Sequence, residues 1–287
     1  MLNFFKKNKK YFKLIFMLAV AFIALTQIAS LIKQVKPDKL ALIFERLTFI
    51  DVILIVLTGI ISILPMLNYD RILNKLVGTH FPIGELLKTS WLINTINNIA
   101  GFGGAVSIGL RSQYYGKESK EKLLSNISKV FFFAMSGLSI YGLVGYTFIK
   151  LGKVDDFLAQ YSPWLIGAAA YFVIVLLFTR KNLGGLKKRL QAELLLTSFL
   201  EWSGVMLTFI VIGHVLDVKI SVASLIVLVT ASSVIGILSM IPGALGSFDV
   251  MMLLGLLHMG VSREIILIWL LLYRIAYYLL PLSIGLL

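Results

Sequence analysis

The sequence predicts an all-α integral membrane protein of six full spans plus two glycine-broken helical hairpins, about eight membrane segments in an inverted-repeat-like order. Three observations carry this. Of 287 residues, 59% are hydrophobic and only 14% charged, against about 45–50% and about 25% in soluble domains. The apolar residues fall in runs of about 20, the length a helix needs to cross a hydrocarbon layer of roughly 30 Å. Two further apolar segments are interrupted centrally by glycine, one after the second span and one after the fifth.

Met1 to Lys13 is basic and leads into an apolar run from Leu14 to Ile32. That run is too long for a signal peptide and lacks a small-residue cleavage site, so it is expected to remain attached as the first span, 12–32. Further spans are predicted near 49–69, 128–150, 160–180, 191–216 and 264–287. Basic residues order them. Lys6, Lys7, Lys9, Lys10 and Lys13 precede span one; Lys117, Lys120, Lys122 and Lys129 precede span three; Arg180, Lys181, Lys187, Lys188 and Arg189 follow span four. All three clusters are expected on the cytoplasmic side, with a cytoplasmic N-terminus. Lys150 and Lys153 are offset by Asp155 and Asp156 and fit outside. The loop 33–48, with Lys33, Lys36, Lys39 and Arg46, is predicted outside against the rule.

The first hairpin, 86–112, breaks at Asn97-Asn98-Ile99-Ala100-Gly101-Phe102-Gly103-Gly104. The second, 220–259, breaks at Ser239-Met240-Ile241-Pro242-Gly243-Ala244-Leu245-Gly246. Gly and Pro commonly kink membrane helices, so two unrelated kinks are the plainer reading. Matched positions in the two halves point instead to an inverted repeat. In that arrangement Gly101, Gly103 and Gly104 enter from the cytoplasm, Pro242, Gly243 and Gly246 from outside, and the breaks meet near mid-bilayer. Backbone freed there must line a cavity or be buried in protein, because lipid cannot satisfy it.

An ionisable side chain within a membrane helix costs about 2.5–3.5 kcal/mol on insertion scales. Five stand out. Asp70 closes span two, where pairing with the adjacent Arg71 competes with a functional role. Arg111 closes the first hairpin, where snorkelling to the interface is the alternative. Glu201 lies inside span five with no charge close in sequence. Asp249 stands in the first turn of a half-helix, where capping would suffice. Arg274 is roughly mid-span in the last helix and needs a partner, Asp249 or Glu201. Two cations and three anions about one cavity suit a ligand carrying both charges, such as an amino-bearing phospholipid head group.

Several classes are excluded. A net charge of +13 would suggest nucleic acid in a soluble protein, but these Lys and Arg lie between apolar runs, without a recognition helix. The bias fits membrane orientation and anionic lipid. With no cysteine and three scattered histidines, His80, His214 and His258, no metal site is expected. No GxxxxGK[ST] motif is present, so ATP is not the expected driver, and no other cofactor is implied.

The stretches Asn94-Thr95-Ile96-Asn97-Asn98 through Gly101-Phe102-Gly103-Gly104 to Gly109-Leu110-Arg111, then Glu201-Trp202, Ser239 through Asp249, and Leu271-Leu272-Tyr273-Arg274-Ile275-Ala276-Tyr277-Tyr278 carry a resemblance. In this order they resemble the N-terminal flippase domain of the bacterial multiple peptide resistance factor family of phosphatidylglycerol lysyltransferase/flippases. The resemblance implies translocation of lysyl-phosphatidylglycerol from the inner to the outer leaflet of the bacterial cytoplasmic membrane. That transfer makes the surface less negative and confers resistance to cationic antimicrobial peptides. It also implies that Asp70, Arg111, Glu201, Asp249 and Arg274 matter for translocation. The family's further helices and soluble aminoacyl-transfer domain find no match, so residues 1–287 are expected to form one lipid-translocase domain without catalytic residues. Anionic and aminoacylated phospholipids are the expected partners, with a homo-oligomer or a separate synthase domain left open.

On this reading Arg111 and Arg274 attract the lipid phosphate, and Glu201, Asp249 and Asp70 the ammonium groups. A secondary transporter for a small solute, or a flippase for another lipid, fits the inverted repeat equally. A membrane-embedded lipid transferase would need an acid–base pair, for which Asp249 with His258, or His214 with Asp217, are the candidates. An assembly subunit could use Phe131, Phe132, Phe133, Tyr277 and Tyr278 as a face, although ordinary lipid-facing packing accounts for such aromatics.

Overall fold

The computed structural model describes Phe22, Leu25, Thr26 and residues 28–100, 105–115, 120–181, 185–241 and 246–286. Most of the predicted first span lies outside these residues, as do Gly101, Gly103, Gly104, Pro242 and Gly243. The described residues contain helices and loops and no strand. Five helices are long and apolar enough to cross a bilayer.

Residues 33–48, expected as a loop, contain α1, Pro37–Arg46. Proline at the first helical position costs no hydrogen bond, and Asp38 and Arg46 complement the helix dipole at its two ends. Thr48 then starts α2, Phe49–Val77. Its hydroxyl accepts from the Asp51 backbone at 3.2 Å while the Asp51 carboxylate accepts from the Thr48 N–H at 2.9 Å, a reciprocal cap. Pro65 cannot donate to the helical ladder, and the chain tightens to a 3-10 turn over Leu64–Met66. The helix ends where Gly78 takes φ 78° and donates to Asn74 O at 3.1 Å, a conformation that suits glycine.

Two shorter arms follow, α3, Ile83–Ala100, and α4, Ala105–Tyr114. Next come α5, Glu121–Lys150, α6, Asp156–Arg180, and α7, Lys188–Val215. The second pair of arms is α8, Val222–Leu238, and α9, Ser247–His258, and the last helix is α10, Arg263–Leu286. The ten residues of α4 rise only about 15 Å, and the twelve of α9 about 18 Å. Neither crosses a hydrocarbon layer of roughly 30 Å by itself.

Packing distinguishes the helices. The apolar window of α6 is only 17% buried, and that of α10 is 78% buried. Helix α6 therefore turns Ile166, Val173, Ile174 and Leu177 outward, whereas α10 is enclosed by protein. Helices α2 and α7 pack along each other, close enough that a Cβ on Gly204 would lie 2.6 Å from Ser62 Cα. Their polar seam is closed by Ser62 and Thr208, whose hydroxyls lie 3.0 Å apart. The arm α3 packs against α10, while α8 packs against α5 and α6.

Two helix irregularities lie away from the glycine-rich breaks, although Gly137 follows the first by two residues and Pro281 the second. Helix α5 opens into turns at 132–135. The freed groups are met from other helices: Tyr171 donates to Phe132 O at 2.6 Å, and Ser198 and Trp202 donate to Ala134 O at 2.8 and 3.1 Å. Ser198 Oγ also accepts the Gly137 N–H at 2.8 Å. Side chains thus replace the lost ladder, as burial in an apolar medium requires. Helix α10 widens to a π turn over Ile275–Leu279, immediately after Arg274.

Candidate ion-pair site

Asp70 and Arg111 face each other across α2 and α4. Arg111 Nε donates to Asp70 Oδ1 at 2.8 Å and Nη2 to Oδ2 at 2.7 Å, a side-on fork that matches carboxylate geometry. Both are buried, at 2% and 0% exposure. Helix α3 completes the shell. Ser90 Oγ donates to Asp70 Oδ2 at 2.6 Å, and Asn94 Nδ2 to the same oxygen at 3.2 Å. Asn94 Oδ1 accepts from Arg111 Nη2 at 2.9 Å. Ser107 accepts from Arg111 Nη1. Tyr115 OH donates to Asp70 O at 3.2 Å, and the Phe131 ring lies 4.4 Å from the guanidinium carbon.

Ser90 and Asn94 reach one carboxylate because residues four apart share a helix face. Of the two alternatives left open for Asp70, the neighbouring Arg71 is the wrong one: it pairs with Glu193 and donates to Asn68 Oδ1 at 2.6 Å. Nor does Arg111 snorkel to a surface.

The second pair is Asp249 with Arg274. Arg274 Nη2 donates to both carboxylate oxygens, at 2.8 and 2.7 Å. Arg274 is 2% exposed and stands 5.5 Å over the Tyr278 ring. Asp249 also accepts from the Gly246 N–H at 3.2 Å, where Gly246 at φ 78° begins α9. The capping role and the ion-pair role thus belong to the same carboxylate.

Glu201 is buried on α7 at 7% exposure and accepts from Tyr69 OH at 2.7 Å. Tyr69 is the residue before Asp70, so the short segment Tyr69-Asp70 meets both Glu201 and Arg111. Two cavities among the described residues lie elsewhere. One, of about 880 Å³, is bounded by Arg71, Lys75, Lys187 and Arg189; the other, of about 290 Å³, by Lys129, Phe132 and Phe178. None of the five predicted residues lines either cavity.

Of the two acid–base pairs considered for a transferase, Asp249 with His258 is not assembled. The Asp249 carboxylate is taken by Arg274, and His258, nine residues on, lies roughly 13 Å away along the helix axis and stacks on Phe157 with centroids 3.5 Å apart. No group of three His, Cys, Asp or Glu positioned to hold a metal occurs among the described residues.

Residues 14–285 match the family described as Lysylphosphatidylglycerol synthase TM region. The chain is 30% identical over 252 residues to the phosphatidylglycerol lysyltransferase of Staphylococcus aureus (strain MRSA252), covering 85% of this chain and 29% of that protein. It is 25% identical over 299 residues to the phosphatidylglycerol lysyltransferase of Bacillus subtilis (strain 168), covering 98% of this chain and 34% of that protein. The chain therefore spans about a third of the length of these relatives.

Proposed function

Because the chain belongs to the lysylphosphatidylglycerol synthase TM-region family, we propose that this multi-pass membrane protein translocates aminoacylated phosphatidylglycerol, lysyl-phosphatidylglycerol foremost, from the inner to the outer leaflet. The membrane is the bacterial cytoplasmic membrane, the N-terminus is cytoplasmic, and residues 1–287 act as one translocase unit. The reading assigns aminoacyl transfer to parts of the relatives that this chain does not cover.

The observation that carries the proposal is the pairing of a charge on each hairpin's second arm with one on a spanning helix: Arg111 on α4 with Asp70 on α2, both buried, and Asp249 on α9, partly buried, with the buried Arg274 on α10. Glu201 is held beside the first pair through Tyr69. Separating such a pair in a dry interior exposes two unpaired charges, at a cost of several kcal/mol per ion. A head group bearing a phosphate and ammonium groups offers each partner a substitute. Arg111 and Arg274 take the phosphate, and Asp70, Asp249 and Glu201 the ammoniums. The pairs then open without leaving a bare ion in hydrocarbon, which is the barrier that slows unassisted flipping.

Reciprocal packing supports an inverted repeat of six spans and two hairpins. The first arm of the first hairpin, α3, lies on the last helix of the second half, and the first arm of the second, α8, lies on α5, the last helix of the first half. In such folds the sites lie where the repeats meet.

Reconstitution tests the proposal. Vesicles loaded with lysyl-phosphatidylglycerol in the inner leaflet, read with a membrane-impermeant amine label, are expected to expose it at least tenfold faster with the protein than without. Equal rates would overturn the reading. The activity for which the relatives are named, phosphatidylglycerol lysyl transfer, favours a second reading, lipid aminoacylation. Formation of lysyl-phosphatidylglycerol from phosphatidylglycerol and an aminoacyl donor by this chain alone would establish it.

A further inference from the structure

We propose that the cavity between α2 and the start of α7 is a second lipid site, selective for a net anionic phosphodiester head group and distinct from the path of the aminoacylated cargo. The inference rests on the membrane-lipid reading above, but not on translocation. About 880 Å³ of space is bounded by four cations, Arg71, Lys75, Lys187 and Arg189, and by one carboxylate, Glu193. Glu193 is already bridged to Arg71, so the cavity holds three positive charges in excess. Lys75, Lys187 and Arg189 are exposed.

Their setting separates this cavity from an ordinary basic loop. Leu76, Leu186 and Leu190 line the same space, giving an amphipathic hollow that fits a glycerol backbone and the top of an acyl chain beside a phosphate. Helix α7 also begins here with three consecutive basic residues, Lys187, Lys188 and Arg189. No side chain caps this end, and no acidic residue stands in its first turn. Cations at the positive end of a helix dipole are unfavourable unless an anion is shared between them. Lys188 turns away to Thr179 O, and the other two face the cavity.

The sign of the charge sets the selectivity. Phosphatidylglycerol carries one negative charge at neutral pH, whereas its lysyl ester carries a net positive one. A cavity with three uncompensated cations attracts the first and repels the second. The two sites thus have opposite preferences: paired charges for the aminoacylated lipid, bare cations for the unmodified one. In the topology proposed above this cavity opens on the inner leaflet, where the anionic lipid enters.

The test is binding to the full chain in detergent, with short-chain phosphatidylglycerol as probe. Phosphatidylcholine and lysyl-phosphatidylglycerol of equal acyl length and inorganic phosphate serve as competitors. The variant is Lys75→Gln/Lys187→Gln/Arg189→Gln, whose exposed positions lie outside both ion pairs; an unchanged thermal midpoint checks its fold. Each basic residue near an anionic lipid surface contributes appreciably, so phosphatidylglycerol affinity is expected to fall by about tenfold or more. Phosphatidylcholine and the lysyl ester should compete at least about tenfold more weakly than phosphatidylglycerol, and millimolar phosphate should not displace it. Affinity within twofold of the parent in the triple variant, or equal competition by either lipid, would overturn the proposal. Displacement by phosphate alone would mark a free-anion site and overturn the lipid assignment. The readout needs no transport, so its failure is told apart from failure of the translocase reading.

Discussion

Arg111→Met is expected to destabilise the protein by about 3–5 kcal/mol, the usual cost of removing one partner from a buried ion pair. The change leaves the Asp70 carboxylate in a shell built around a guanidinium. Ser90 and Asn94 still donate to it, but the two charge-assisted bonds at 2.8 and 2.7 Å are gone, and Asn94 Oδ1 loses its donor. Methionine fills most of the space, so the loss reports charge rather than a cavity. The double variant Asp70→Asn/Arg111→Met should therefore be more stable than Arg111→Met alone, since it removes the stranded charge as well. Unfolding free energies in mild detergent check both statements. A single variant within about 1 kcal/mol of the parent would show that the pair is hydrated in the membrane and not buried.

Asp249→Ala has a comparable expected effect, about 3–5 kcal/mol, through two losses at one position. Arg274 is left without its carboxylate in the protein-enclosed helix α10, and the Gly246 N–H loses its acceptor at the start of α9. Asp249→Asn separates these contributions. Its amide oxygen can still cap the helix, worth typically about 1 kcal/mol, while the charge is absent. Asparagine is expected to recover only the capping part. If it restores full stability, the ion pair contributes nothing and Asp249 is a cap alone.

The two pairs were not equally legible in the sequence. Asp249 and Arg274 each stand out as charges inside apolar segments, and Asp249 was one of two carboxylates expected to meet Arg274. The partner of Asp70 was hidden by its neighbour Arg71, because sequence adjacency favours the local pair, whereas α2 turns Asp70 inward and Arg71 toward Glu193. Ser90 and Asn94 did carry a readable signal, two polar residues four apart in a membrane arm. Tyr69, which holds Glu201, carried none.

Five of the six expected spans, those on described residues, were legible because a bilayer imposes a fixed run length, and their helices begin at or before the expected residue. The opening of α5 was not, since its support comes from Tyr171, Ser198 and Trp202 on other helices. Helix α1 was missed for a different reason. Its basic residues dominated the reading of 33–48 as a loop, although Pro37, Asp38 and Arg46 are ordinary helix-end signals.

Glu201 is a buried carboxylate that accepts from Tyr69, and the proposed function gives it to an ammonium of the cargo. The most direct measurement is leaflet transfer of lysyl-phosphatidylglycerol in proteoliposomes containing Glu201→Gln. The glutamine can still accept from Tyr69 and preserves side-chain size, so folding should be retained. Transfer is expected to fall by at least about tenfold, equivalent to about 1.4 kcal/mol. Transfer at the parent rate, from a variant shown to be folded, would contradict the assignment of buried charge to the lipid path.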